Sequence, residues 1–269
     1  MQPSNTLEEL YENHKGLVSD KWESYLTKYD AVFNPYKQKN INLLEIGVQN
    51  GGSLEIWAKY FRTARCIVGC DVNPACKNID FSHDAIRFVP GDINDSKTLA
   101  AISRHASKFD IIIDDGSHIS SDIIHTFGTL FPLLAENGTY VIEDLHCSYW
   151  ARFEGGLTTQ ISAISFLKKL VDIVNFEHWG MPGNRRDLLE QFNAQELSDD
   201  ELALIHSVSF SNSVCIIQKK SKENNLLGKR WVVGEMEHVA PSKQANGTYS
   251  DPEPQRSQPL SDRSQIKGH

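Results

Sequence analysis

The chain has 269 residues, enough to bury one sizeable core, and carries 27 Lys and Arg against 35 Asp and Glu for a net charge of -8. That balance gives no electrostatic reason to bind nucleic acid or an anionic membrane, and no apolar run of about eighteen residues is present to span a bilayer. Cys66, Cys70, Cys76, Cys147 and Cys215 form no C-x-x-C pair, and the polar amino terminus has no signal-peptide core, so reduced thiols and a cytoplasmic location are expected.

Residues 6–36 read as helical, with Leu7, Leu10, Tyr11, Trp22, Tyr25, Leu26, Tyr29 and Phe33 at spacings of three and four, and Asp20 is placed to cap a second helix. Residues 1–40 are therefore expected to form a helical cover, packed on a sheet or closing over a cofactor. The first strand covers 42–48, and a glycine-bearing turn at 49–53 leads into an amphipathic helix with Leu54, Ile56, Trp57 and Phe61. Apolar runs at 66–71 and 86–92 give the second and third strands, followed by a helix over 95–107. The fourth strand, from Phe109, ends abruptly in Asp114, Asp115, Gly116, Ser117 and His118. A helix over 120–135, a turn at Asn137 and Gly138 and a fifth strand closed by Glu143 and Asp144 repeat the design.

Residues 157–174 carry another apolar stripe, 178–200 show no clear pattern, and 207–210 with 213–218 form a closing antiparallel hairpin. Strands alternating with helices predict an α/β fold with a doubly wound, mostly parallel seven-stranded sheet. This domain is expected over 41–219, followed by a polar extension over 220–269 that is disordered, or draped over a partner, from about residue 241.

Open α/β sheets bind ligands beyond the carboxyl ends of their strands. The first turn, Gly47-Val-Gln-Asn-Gly51-Gly52, lacks the G-x-G-x-x-G that seats a pyrophosphate on a helix amino terminus, which argues against NAD. Asp71 closes the second strand, where an acid can accept both hydroxyls of a ribose, and Asp92 closes the third within reach of an adenine amino group. The order Leu44-Glu45-Ile46-Gly47, Asp71, Asp92 resembles the class I S-adenosylmethionine-dependent methyltransferases over residues 41–219. The resemblance implies S-adenosyl-L-methionine as cofactor, with Gly47, Asp71, Asp92 and also Glu45 as its contacts; a strand-end acid such as Glu45 can instead orient a loop.

In the strand order expected of that fold, the fourth and fifth strand ends converge, so that Asp115, Glu143 and Asp144 can offer three oxygens to one ion. All-oxygen ligation favours Mg²⁺ over Zn²⁺. His118, three residues beyond Asp115, is placed to take a hydroxyl proton near neutrality. Each strand-end acid can alternatively cap the following helix. Asp114, on the opposite side of its strand, reads as structural, and Tyr149 and Trp150 either wall an acceptor pocket or pack as a lid.

Asp114-Asp-Gly-Ser-His118 with Ile142-Glu-Asp-Leu145 and Ser148-Tyr-Trp150 resembles the metal-dependent sugar O-methyltransferases of macrolide biosynthesis, the mycinamicin and macrocin type. Gly51-Gly52-Ser53-Leu54, Trp57 and Ser19-Asp20-Lys21 add to the likeness. It implies Asp115, Glu143 and Asp144 as magnesium ligands, His118 as general base, and methyl transfer to a hydroxyl of a sugar or glycosylated natural product, that is, a small-molecule or glycan acceptor. It leaves a homo-oligomer open. Two other readings keep the fold: a hydroxylase-type tailoring enzyme similar to the cephalosporin hydroxylases, and a non-catalytic S-adenosylmethionine-binding partner of another enzyme.

Overall fold

A computed structural model describes residues 6–192, 194 and 197–252. The expected disorder of the extreme tail lies outside the described residues from 253 on. Seven strands form one sheet in the order β3-β2-β1-β4-β5-β7-β6. β1 (Asn42–Ile46), β2 (Cys66–Asp71), β3 (Ile86–Pro90), β4 (Phe109–Asp114) and β5 (Leu134–Ile142) run parallel, and the hairpin β6 (Ile205–Ser211) and β7 (Val214–Lys219) joins β5 antiparallel. The doubly wound sheet and its closing hairpin are as expected from the alternation of strand and helix patterns.

Helices cover both faces, which is why the central strands are continuous apolar runs rather than alternating ones. On one face Leu43, Ile67, Ile111, Ile113 and Val141 pack with residues of α1 (Leu7–Glu12), α2 (Glu23–Phe33) and α3 (Gly52–Tyr60). On the other, Leu44, Val68, Ile112 and Tyr140 pack with α4 (Ser96–Ser103), α5 (Ser120–Leu130) and α6 (Ala163–Val174). A short helix, α7 (Asp199–Leu202), with a Ser198–Glu201 capping box, precedes β6. Trp57, fully buried, is the hub of an aromatic cluster with Tyr29, Phe33, Tyr60 and Phe61 that fastens α2 to α3.

The amino-terminal segment departs from a continuous helix. α1 is closed at its start by a Thr6–Glu9 capping box and ends at Glu12, and residues 13–22 cross to α2 as an irregular strap. Asp20 does not cap α2; the N-cap position belongs to Trp22, with no side-chain hydrogen bond. The strap is pinned to α3 by Leu17 N–H donating to Glu55 Oε2 at 2.8 Å and Gly52 N–H donating to Val18 O at 3.2 Å. It runs so close that a β-carbon on Gly52 would lie 2.2 Å from Leu17 O.

Lys219, at the end of β7, is buried with its ammonium donating to Phe131 O at 3.0 Å and Leu134 O at 2.9 Å, which closes the connection between α5 and β5. Burial, with Lys108 nearby, pushes its pKa down from 10.5 to about 8. The native state then binds fewer protons at this site than the unfolded chain between those values, so the contribution of Lys219 to stability rises with pH across that window. Denaturant unfolding at pH 7.5 and pH 10 should show the wild type gaining on the order of 1–3 kcal/mol relative to Lys219→Met. Equal pH dependence in the two proteins would contradict the shift.

Candidate active site at the strand ends

Side chains alternate along a strand, so Glu45, Asp115 and Glu143, at or just past the ends of the adjacent strands β1, β4 and β5, project to the same face as Leu43, Ile113 and Val141. The ladder continues through Asp115 N–H to Ile46 O and Glu143 N–H to Asp114 O, both 2.9 Å, which holds the three acids level. Into this group the strap inserts Lys21. Its ammonium, with the side chain 2 % exposed, hydrogen-bonds Asp115 Oδ2 and Glu143 Oε1 (2.8 Å for Glu143) and lies 3.5 Å from Glu45 Oε1.

Burial opposes the charge on Lys21, yet the carboxylates of Glu143, Asp115 and Glu45 outweigh it and hold the ammonium well above its usual range. One ammonium does not neutralise three buried acids. Burial accordingly raises Glu143 to about 8, and raises Asp115 and Glu45, each against the pull of Lys21. Glu143 Oε1 also accepts the Tyr29 hydroxyl at 2.6 Å, and Glu45 Oε2 accepts Ser53 Oγ at 2.8 Å and Trp57 Nε1 at 3.2 Å.

Beyond β5, Asp144 has a left-handed backbone (φ 54°), and so does His118 beyond β4 (φ 59°), conformations that non-glycine residues adopt at a cost and that turn both side chains back toward the strand ends. Asp144 Oδ1 accepts Trp22 Nε1 at 3.1 Å and lies 2.9 Å from the Tyr25 hydroxyl, while its N–H donates to that hydroxyl at 3.1 Å. His118 Nε2 stands 3.9 Å from Asp115 Oδ1 and 3.8 Å from Asp144 Oδ2. Two groups of acid and imidazole ligand atoms therefore lie close enough to share an ion: Asp115, His118 and Asp144 on the outside, and Glu45, Asp115 and Glu143 within. Asp115 belongs to both.

A cavity of about 410 Å³ opens over the outer group, bordered by Lys21, Trp22, Gly47, Asp71, Asp115, His118, Glu143 and Asp144. A second, of about 280 Å³, lies across the sheet edge among Asp71, Val72, Asp92, Ile93, Asp114 and Ile123, and the two meet at Gly47, Asp71 and Gly116. Gly47 (φ 87°) is where the backbone leaves β1, and a β-carbon there would lie 2.0 Å from Asp115 O. Asp71 shapes this turn: Oδ2 accepts the N–H groups of Val48 and Gln49 at 2.8 and 2.9 Å, and Oδ1 that of Asn73 at 2.7 Å. Asp92 accepts Asn94 N–H at 2.9 Å and faces the smaller cavity. So does buried Asp114, whose Oδ2 has no hydrogen-bond partner among the described residues and whose carboxyl burial pushes up to about 7.

The structure thus gathers Gly47, Asp71, Asp115, His118, Glu143 and Asp144 around one cavity and puts Asp92 on its neighbour. Glu45 borders neither; it is fully buried and faces Lys21 and α3. The three acids expected to share one ion do not appear together in either close group, because Glu143 turns one oxygen inward to Lys21 and Tyr29. Sequence reasoning gave no site role to Lys21, Trp22, Tyr25 and Tyr29, all from the cover segment, although Lys21 stood in the Ser19-Asp20-Lys21 run of the family likeness and the three aromatics in the helical pattern. The spacing of Tyr25 and Tyr29, four apart on the apolar face of α2, was the available signal: each buried hydroxyl needs a partner.

A family model described as a methyltransferase domain matches residues 44–145, the stretch from β1 through the Asp144 turn. The 8-demethyl-8-alpha-L-rhamnosyl tetracenomycin-C 2'-O-methyltransferase of Streptomyces olivaceus is 36 % identical over 164 residues, 57 % of this chain and 42 % of that protein. The mycinamicin VI 2''-O-methyltransferase of Micromonospora griseorubida is 36 % identical over 170 residues, 58 % of this chain and 41 % of that protein. The chain thus spans less than half the length of these curated relatives. Among solved structures, the MycE methyltransferase of the mycinamycin biosynthetic pathway, in complex with Mg, SAH and mycinamycin VI, superposes with a TM-score of 0.67 at 27 % identity, covering 82 % of this chain and 55 % of that one. Residues 44–145 thus match a methyltransferase-domain model, and the chain shares the class I methyltransferase fold with the mycinamycin enzyme.

Proposed function

We propose that the protein is a Mg²⁺-dependent O-methyltransferase of the cytoplasm that moves a methyl group from S-adenosyl-L-methionine to a hydroxyl of a sugar or glycosylated natural product. The observation that carries this reading is the convergence of Asp115, His118 and Asp144 on a cavity that continues past the Gly47 turn into a second one. Relatives that act on sugar hydroxyls support the acceptor class. The five cysteines are free and buried, as a reducing compartment allows, and no helix among the described residues is long and apolar enough to cross a membrane.

The residues fit a cofactor of this kind. The smaller cavity offers apolar walls at Val72, Ile93 and Ile123 with Asp92 and the unpartnered Asp114 oxygen at its edge, a setting for a flat, amino-bearing ring. Asp71 borders both cavities, where a ribose would lie, and the absence of a side chain at Gly47 keeps the passage between them open. They fit a hard divalent cation as well: the three carboxylates of Glu45, Asp115 and Glu143 face one ammonium, Asp144 Oδ2 stands 3.8 Å from His118 with no ammonium of its own among the described residues, and Glu143 Oε2 has no hydrogen bond among them. Asp115, Glu143 and Asp144 would hold the ion.

When bound, S-adenosylmethionine supplies an electrophilic methyl on a sulfonium, and Mg²⁺ supplies charge that eases ionisation of an acceptor hydroxyl. His118 Nε2, 3.9 Å from Asp115 Oδ1 and 3.8 Å from Asp144 Oδ2, would take the proton of an acceptor hydroxyl seated in the cavity. The two carboxylates stabilise the imidazolium that results. On the acceptor side, Trp22, His146, Trp150 and Phe153 form a chain of edge and tilted ring contacts at 4.9 to 6.1 Å, with Trp22 and Trp150 about half exposed and Arg152 over the Trp150 ring, a surface on which a sugar ring could pack.

His118→Ala should bind S-adenosylhomocysteine as the wild type does in calorimetry while turnover falls by about 10²–10⁴; unchanged turnover would reject the base. Mg²⁺ should raise the Tm of the wild type but not of an Asp115→Asn/Asp144→Asn variant. Full methyl transfer in excess EDTA would remove the metal from the reaction.

A further inference from the structure

We infer that Lys21 couples the metal site to the cofactor site: its ammonium is the chain's own stand-in for the ion on Asp115 and Glu143, and an ion that takes those oxygens turns it to the cofactor's α-carboxylate. The inference rests on the reading above, in which Asp115, Glu143 and Asp144 hold the ion, and deepens it by making metal and cofactor bind cooperatively.

Lys21 Nζ hydrogen-bonds Asp115 Oδ2 and Glu143 Oε1 and lies 3.5 Å from Glu45 Oε1. Two of the three proposed ligands thus already carry a cation. A divalent ion bound to the same two carboxylates would meet that ammonium at close range, where the Lys21 side chain is only 2 % exposed and solvent screens the repulsion poorly. Ion and ammonium therefore compete for these oxygens. The ion prevails by its double charge and by a third ligand, Asp144.

The strap limits where the displaced ammonium can go. It is tied at Val18, whose O accepts Gly52 N–H at 3.2 Å, at Ser19, 3.1 Å from the Tyr11 hydroxyl, and at Trp22, whose Nε1 donates to Asp144 Oδ1 at 3.1 Å. Lys21 therefore moves by its side chain, within the cavity of about 410 Å³ that it borders. Among the described residues, that border holds five carboxylates, from Asp20, Asp71, Asp115, Glu143 and Asp144, and no ammonium or guanidinium besides Lys21. With the cofactor's ring in the smaller cavity, its methionine end passes Gly47 into this one and brings a carboxylate among acids. The Val48 and Gln49 N–H groups on the same border are already held by Asp71. Lys21 is the cation this carboxylate needs, yet without an ion to replace it the ammonium could leave only by stranding buried acids. Metal and cofactor thus each favour the binding of the other, and such coupling is reciprocal.

The test reads affinities by calorimetry on the full chain, with Mg²⁺ and S-adenosylhomocysteine as probes, each alone and with the other saturating, and with no acceptor. In the wild type each should bind about tenfold more tightly in the presence of the other. Decarboxylated S-adenosylhomocysteine, which keeps its amino group, should show coupling of no more than about twofold. Lys21→Met should bind Mg²⁺ alone about tenfold more tightly than the wild type, because the competing ammonium is gone, and should lose the coupling with S-adenosylhomocysteine. Full coupling in folded Lys21→Met would assign it to the ion's own charge and overturn the inference; so would equal coupling with the decarboxylated compound, or none in the wild type. Should Lys21→Met fail to fold, Lys21→Gln, which can still donate to an acid, carries the same expectations, and the decarboxylated compound tests the wild type independently. A wild type that binds S-adenosylhomocysteine but no Mg²⁺, with or without it, would instead defeat the metal reading itself.

Discussion

Three carboxylates buried at the tips of neighbouring strands are tolerable only if a cation joins them, and the position of Lys21 among Glu45, Asp115 and Glu143 is the constraint on which the rest of the site depends. Because the acids sit on strands fixed by the parallel ladder, the cation must come to them. The strap that brings it therefore has to run across the first turn of α3, and Gly16 and Gly52 keep that path open. The cover helices, the aromatic cluster around Trp57 and the strand ends are in this sense one unit, joined through a single ammonium and the hydroxyls of Tyr25 and Tyr29.

Much of the scaffold was legible in the chain. Apolar runs ending in acids marked β2, β3, β4 and β5 together with the end of the sheet at which a ligand would lie, and the offset of three from Asp115 to His118 brought the imidazole to the cavity. Strand alternation also held a signal that was not used: Glu45 and Asp115 share a face with Leu43 and Ile113, so Glu45 belongs with the acids of the site rather than with the cofactor cavities. What could not be read locally was Lys21. Its partners lie 94 and 122 residues away, and helical periodicity carried through residues 13–22 although the chain there is irregular.

Asp114 shows how the two faces of one strand end diverge. Its neighbour Asp115 turns to the ammonium and remains in an ionic group, while Asp114 turns to the other face, where burial without a matching cation favours the protonated carboxyl. A protonated carboxyl is a donor as well as an acceptor, so the smaller cavity offers chemistry different from that of the larger one even though consecutive residues build both.

The turn after β1 has a last consequence in what it refuses. Helix amino termini in α/β sheets commonly bind phosphate through their free N–H groups. Here four N–H groups on the way into α3 are already committed within the chain: Val48 and Gln49 to Asp71, Gly51 to Val48 O and Gly52 to Val18 O. A phosphate at this turn would find those four donors taken. The strap that carries Lys21 thus has a second effect: by accepting the Gly52 N–H at Val18 O it withholds the first amide of α3 from any ligand at this turn.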